Sequence, residues 1–199
     1  MEFKDIVMQR YATKKFDGRT IPDATIDELV DLVRFAPSAI NLQPWKIRII
    51  TDQALKAELR PAAHDQEQIT SCSHLLVFFA DTDYEGLIGN VDALMQRQGI
   101  PDETREQVIG MAREYASRMS PEQRFTWSQA QTYLSAGNAF NGAKALGFDS
   151  CPMSGFDQAA FSRILRTPAH LVPVILCPVG YAADRPMKKM RFSRDAILV

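Results

Sequence analysis

Apolar positions fall into two rhythms along this chain. Between residues 25 and 35, Ile26, Leu29, Val30 and Val33 return every three or four positions, as on an amphipathic helix, and Pro22 and Asp23 supply its start. The same spacing predicts helices over residues 1–9, 53–59, 84–98, 101–119 and 157–165, with a shorter one within 64–72. Pro101 stands at a first-turn position of its helix. Residues 46–50, 75–80, 148–151 and 171–179 are short apolar runs and read as strands. Pro173 and Pro178 assign the last run to a sheet edge or to strand ends, because proline cannot donate to a ladder.

Pro121 opens the longest predicted helix, which reaches about residue 146 and stops at Gly147. Its middle gathers Ala136, Gly137, Ala139, Gly142 and Ala143, a stripe that lets neighbours approach closely on more than one side. About eight helices then space four strands. No repeat, low-complexity tract or linker divides them, so residues 1–199 read as one α+β domain, an α/β sandwich, with a helical excursion over about 84–125.

The chain is 46% hydrophobic and 24% charged with a net charge of −1, which directs attention away from nucleic acid and anionic membranes as partners. Its apolar runs fall short of the ~20 residues of a membrane span. Residues 1–16 contain no apolar signal core. Cys72, Cys151 and Cys177 lack metal-ligand spacing, and an odd count of this kind fits reduced thiols in the cytoplasm.

No dinucleotide fingerprint, phosphate-binding loop, zinc motif or nucleophile elbow is present, and His64, His74 and His170 are scattered. An enzyme without these would borrow its reactive group from a cofactor. Four segments could serve one, and each has a plainer reading. Arg10 and Lys14 can either meet the end of the first helix or grip a phosphate or ring edge. Ser38, Asn41 and Gln43 offer polar groups between stiffening prolines, or simply exit a helix. Residues 65–68 (DQEQ) are a hydrogen-bonding set or a solvated face. Lys188, Lys189, Arg191 and Arg194 are a cationic patch or a solvated tail.

In order and spacing these segments resemble the FMN-dependent nitroreductases over nearly the whole chain. The likeness runs through RYATKKF (10–16), APSAINLQPWK (36–46), SHLLVFFA (73–80), AGNAFNGAKALGFDSCPMSGFD (136–157), HLVPVILCPVGY (170–181) and KMR (189–191). It implies a central mixed, mainly antiparallel sheet wrapped by helices and an intertwined homodimer with FMN in two interfacial grooves. By that resemblance Arg10, Lys189 and Arg191 hold the FMN phosphate, beside Tyr11 and Ala12. Lys14 faces N1 and O2 of the ring, while Asp65 and Gln68 meet the pyrimidine edge, where relatives often carry Asn and Lys. Pro37, Ser38, Ala39 and Asn41 reach the flavin of the other subunit. Gln131 touches the ribityl side. Pro152, Met153, Ser154 and Gly155 cover one ring face, with a backbone N–H at N5 and Ser where many relatives have Glu.

No side chain acts as a nucleophile and no metal is implied; the chemistry sits at N5, adjusted by Lys14 and the Ser154 backbone. NAD(P)H would deliver hydride and leave before a nitroaromatic or quinone collects the electrons, a ping-pong scheme. Tyr115 and Phe125 are candidate lid aromatics over the acceptor. The alternatives are a dedicated reductase of an enal, halogenated aromatic or free flavin, a non-catalytic FMN-storage protein, and a helical dimer without cofactor.

Overall fold

Strand β2 (His74–Asp81) is buried along all eight residues, and that burial organises the rest. The computed structural model describes residues 1–199. β2 pairs antiparallel with β1 (Trp45–Ile50) on one side and β4 (Leu171–Gly180) on the other, and β3 (Asp149–Ser150) completes the order β1-β2-β4-β3. Strand alternation then sorts side chains into two layers. Leu75, Val77 and Phe79 face α3 (Gln53–Leu59), the single turn α4 (Gln68–Ser71) and α8 (Gln158–Leu165). Leu76, Phe78 and Ala80 face α2 (Asp23–Arg34) and α7 (Pro121–Ala145).

Against the sequence reading, β4 lies inside the sheet despite its two prolines. Pro173 stands beside a register shift at Phe78/Phe79, where Val174 is the extra residue, and a bulge tolerates a missing donor. Pro178 turns its backbone toward Cys151, on the flank where β3 is only two residues long. The strand pairings are all antiparallel, and the parallel component is a single bridge between Ala12 and Ser150. The helix expected within 64–72 shrinks to α4, because His64 and Asp65 both take left-handed backbone conformations that interrupt it.

The long helix starts at a capping box formed by Ser120 and Gln123, with Pro121 in its first turn, and Gly147 follows it at φ +89°. Ala136, Ala139 and Ala143 lie against the sheet. A Cβ on Gly142 would come within 2.9 Å of Leu32 and 3.0 Å of Leu29, so the glycine lets α2 close on α7. On the outer side Leu32, Phe35, Tyr133 and Leu134 stay exposed. The excursion is α5 (Tyr84–Arg97) packed on α6 (Asp102–Ser117), around Ile88, Ile109 and Ala112. No helix is long and apolar enough to cross a membrane. The three cysteines are free and buried, and burial raises their thiols, Cys72 to about 12.

α1 (Phe3–Gln9) delivers the chain to residues 10–17, which run along the end of the sheet. Phe16 is buried and bridges Ala182, Asp17 N–H donates to Tyr181 O at 2.9 Å, and Ala183 N–H donates to Lys15 O at 2.9 Å. Phe16 sits so close over Gly180 that an added Cβ would meet its Cδ1 at 2.8 Å. Gly180→Ala is therefore expected to destabilise the fold by about 1–3 kcal/mol through overpacking, read as a lower urea midpoint.

Buried His74 places Nδ1 2.8 Å from Ser73 Oγ, which accepts the Ile21 N–H at 2.8 Å and so has its own proton available for the imidazole. Burial holds this histidine below its ordinary value, against the pull of Asp23 and with a smaller push from Lys56. The unfolded chain therefore takes up this proton more readily, and stability falls as pH drops from about 6.5 toward the lower folded value. Urea unfolding at several pH values is expected to show that loss in the wild type and a shallower slope in His74→Asn. Equal slopes would exclude His74 as the cause.

Candidate functional site

The bridge between Ala12 and Ser150, with Thr13 N–H donating to Ser150 O at 3.2 Å, lays residues 10–14 beside the end of β3. Arg10, Tyr11, Ala12 and Lys14 thereby share a concavity of about 350 Å³ with the segment from Asp184 to Arg191. Lys189 Nζ donates to Val7 O and Met8 O, both at 2.9 Å, capping the end of α1 and drawing the basic tail onto the N-terminal segment. Loss of hydration, with repulsion from Arg10 and Arg191, lowers the Lys189 ammonium. Arg10, Lys14, Lys189 and Arg191 thus converge, and none of them makes an ion pair, although the chain forms eight carboxylate-bearing bridges elsewhere.

The nearby carboxylate is Asp184, which the sequence reading missed. It accepts from Tyr11 Oη at 3.0 Å and from the Lys14 backbone N–H at 2.7 Å, so it fixes the segment. Burial is the main reason Tyr11 is pushed up to about 12, and Asp184 adds to it. No spacing signal marks Asp184, because an isolated acid after a strand has no period.

Past β3, Cys151 N–H donates to Pro178 O at 3.0 Å, and Met153 exchanges two backbone bonds with Leu176, at 3.0 and 2.9 Å. These bonds carry Pro152 and Met153 along β4 and then release the chain, so Ser154 and Gly155 are exposed and their N–H groups have no acceptor within the protein. Lys14 Nζ lies 3.6 Å from Cys151 Sγ, and buried Gln68 has Nε2 3.9 Å from the same sulfur. Lys14, Gln68 and the 152–155 turn therefore meet at one place. Asp65 is exposed on the neighbouring left-handed turn, its carbonyl accepting from Arg60 Nε at 3.0 Å, and His64 of that turn lies 3.9 Å from the Cβ direction of Gly155.

Pro37, Ser38, Ala39 and Asn41 belong elsewhere in the chain. Ile40, Asn41 and Gln43 all have φ near +50°, conformations that a β-branched residue rarely adopts. Ser38 Oγ accepts from Gln43 N–H at 2.9 Å, Gln43 Nε2 donates to Asn41 Oδ1 at 3.1 Å, and buried Leu42 and Trp45 anchor the loop. Gln131 Oε1 accepts from Ala39 N–H at 2.9 Å, so Gln131 serves this loop rather than the cationic concavity. Lys144, which borders the Arg10 side through Asp149, is roughly 20 Å further along α7 at about 1.5 Å per residue.

The two candidate lid aromatics separate. Tyr115 is exposed beside Trp127, ring centres 6.0 Å apart, over an open hollow that also includes Met119 and Ala130. Trp127, a neighbour that spacing alone did not single out, packs against the same buried cluster as Ile40, and that cluster includes Leu42 of the Ser38 loop. Phe125 points across α7 to the sheet-covering core, near Thr82 and Val172.

The chain matches the family model described as the nitroreductase family over residues 7–181. A Thermus thermophilus protein named NADH dehydrogenase is 30% identical over 200 residues, covering 100% of this chain and 96% of the relative. The Bacillus subtilis protein ydfN superposes with a TM-score of 0.93 at 26% identity, covering 100% of this chain and 98% of that one. A chain from Exiguobacterium sibiricum, solved in complex with FMN, superposes at 0.92 with 22% identity, covering 100% and 97%. With its sheet order, basic concavity and full-length likeness together, the chain belongs to the nitroreductase family.

Proposed function

We infer that the protein is an FMN-dependent NAD(P)H oxidoreductase that works as a homodimer on small aromatic acceptors, nitroaromatics and quinones among them. The observation that carries this reading is the concavity of Arg10, Lys14, Lys189 and Arg191, none of which makes an ion pair and which outnumber its one carboxylate, Asp184, in a chain of net charge −1. An anion relieves their repulsion, and the phosphate of FMN suits two guanidinium groups and an ammonium.

The residues fit the rest of the cofactor as well. The exposed, unpartnered N–H groups of Ser154 and Gly155 supply donors for a ring nitrogen. Gln68 offers an amide to the pyrimidine edge, and Lys14 offers a positive charge where reduction would place negative charge. Asp65, as a carboxylate, accepts only, so it suits a ring N–H rather than a ring carbonyl. Bound FMN would take hydride from NAD(P)H and return two electrons to an acceptor in alternate half-reactions.

Within one chain the Ser38 loop is too far along α7 to reach this concavity. A two-fold pairing that brings one chain's loop to the other's concavity joins the halves. The exposed Leu32, Phe35, Tyr133 and Leu134, with Met187, Met190 and Phe192 on the tail, are the apolar surface such a pairing would cover. Trp127, which borders the cluster anchoring the loop through Leu42, and Tyr115 beside it would then stand over the acceptor; Phe125 contributes through packing.

A charge-assisted hydrogen bond is worth about 1.5–3 kcal/mol. Arg10→Ala and Arg191→Ala are each expected to weaken FMN binding roughly 10- to 100-fold while leaving riboflavin, which lacks the phosphate, unaffected, as read by flavin fluorescence titration. Stopped-flow reduction of the holoprotein by NADH or NADPH, then reoxidation by a quinone, tests the turnover. A flavin that bleaches with neither nicotinamide would favour storage over catalysis.

A further inference from the structure

Cys151 is a feature this reading leaves without a role. Its side chain is fully buried at the end of β3, in the layer that contains Phe16, Leu75 and Met153. The sulfur nevertheless lies within reach of two donors of the site, Lys14 Nζ at 3.6 Å and Gln68 Nε2 at 3.9 Å. It is the only side-chain acceptor that the Lys14 ammonium has within the chain. Asp184, the carboxylate in the neighbourhood, is occupied by Tyr11 Oη and the Lys14 backbone N–H. Gln68 has a second partner, Gln66 Oε1 at 2.9 Å, which fixes its amide from the other side.

We propose that Cys151 is a positioning residue: its uncharged sulfur holds the Lys14 ammonium and the Gln68 amide toward the flavin's pyrimidine edge without neutralising the lysine's charge. The inference rests on the FMN reading given above. A carboxylate in that place would also orient Lys14, but it would cancel the field that favours the reduced ring. A purely apolar side chain would leave a flexible four-carbon ammonium unguided. Sulfur supplies a weak, polarizable acceptor and no charge. Burial raises the thiol even against Lys14, so the group stays protonated, and Pro152 O at 3.9 Å is the acceptor toward which the S–H can turn.

The test is the midpoint potential of bound FMN, measured by equilibration with a reference dye, in wild type, Cys151→Ala, Cys151→Val, Lys14→Met and the Lys14→Met/Cys151→Ala double variant. Both single cysteine variants are expected to lose roughly three- to tenfold in preference for reduced over oxidised FMN, a fall of about 15–30 mV for a two-electron couple. Val keeps the site filled should Ala fold poorly. The affinity for oxidised FMN is expected to change little. Lys14→Met is expected to lower the potential further, and adding Cys151→Ala to it should lower it by clearly less than Cys151→Ala does alone, because the sulfur acts chiefly through the lysine and only its hold on Gln68 remains. A potential unmoved in the cysteine variants, or an equal fall in the Lys14→Met background, overturns the assignment. A wild-type protein that takes up no FMN would instead defeat the functional reading beneath it.

Discussion

The backbone bonds that tie residues 150–153 to their neighbours set the geometry of the whole site. Ser150 accepts from Thr13 on one side, while Cys151 and Met153 bond to β4 on the other. A two-residue strand contributes little stability alone. Here it joins three stretches distant in sequence: the cationic N-terminal segment, the turn at Ser154 and the interior strand β4. β4 is itself fixed by the register with β2, so the burial of a single apolar strand is transmitted to the position of Lys14. Gly180 belongs to the same arrangement, since without its missing Cβ the segment carrying Arg10 through Phe16 could not lie flat on the sheet end.

Much of the fold was legible because helical and strand periods record burial, and burial is what the sandwich imposes. Gln53–Leu59 coincides with its expected bounds, and most other helices agree within a residue or two. β4 was misplaced because proline statistics describe average strands, whereas this one has a bulge at Pro173 and a nearly absent neighbour at Pro178. The residues 64–72 failed as a helix for a reason no periodicity shows, two consecutive left-handed residues.

The candidate site divides the same way. Arg10 with Lys14, and Lys189 with Arg191, could be picked out as two cationic segments because charge is a property of residue type; the family resemblance joined them, and the folded chain brings them together. That none of them forms an ion pair could not be read, since an ion pair depends on which distant acids fold alongside. Asp184, for the same reason, gave no sign. Gln131 was singled out only through the family resemblance, and its partner, the Ala39 amide, is a product of the strained loop. Periodicity identifies which face a residue occupies; it does not identify what that face meets.

The length of α7 has a further meaning. Its middle lies near the Ser38 loop through Gln131, and its far end lies near the cationic segment through Lys144 and Asp149. A continuous helix between two such points is a ruler as well as a wall, and its graduations are angular. Each residue inserted or deleted turns one end against the other by about 100° and shifts it by about 1.5 Å. Drift in this chain's length is thus accommodated more readily in the α5–α6 excursion, where a loop can absorb it, than between residues 131 and 144, where only whole turns would preserve the phase.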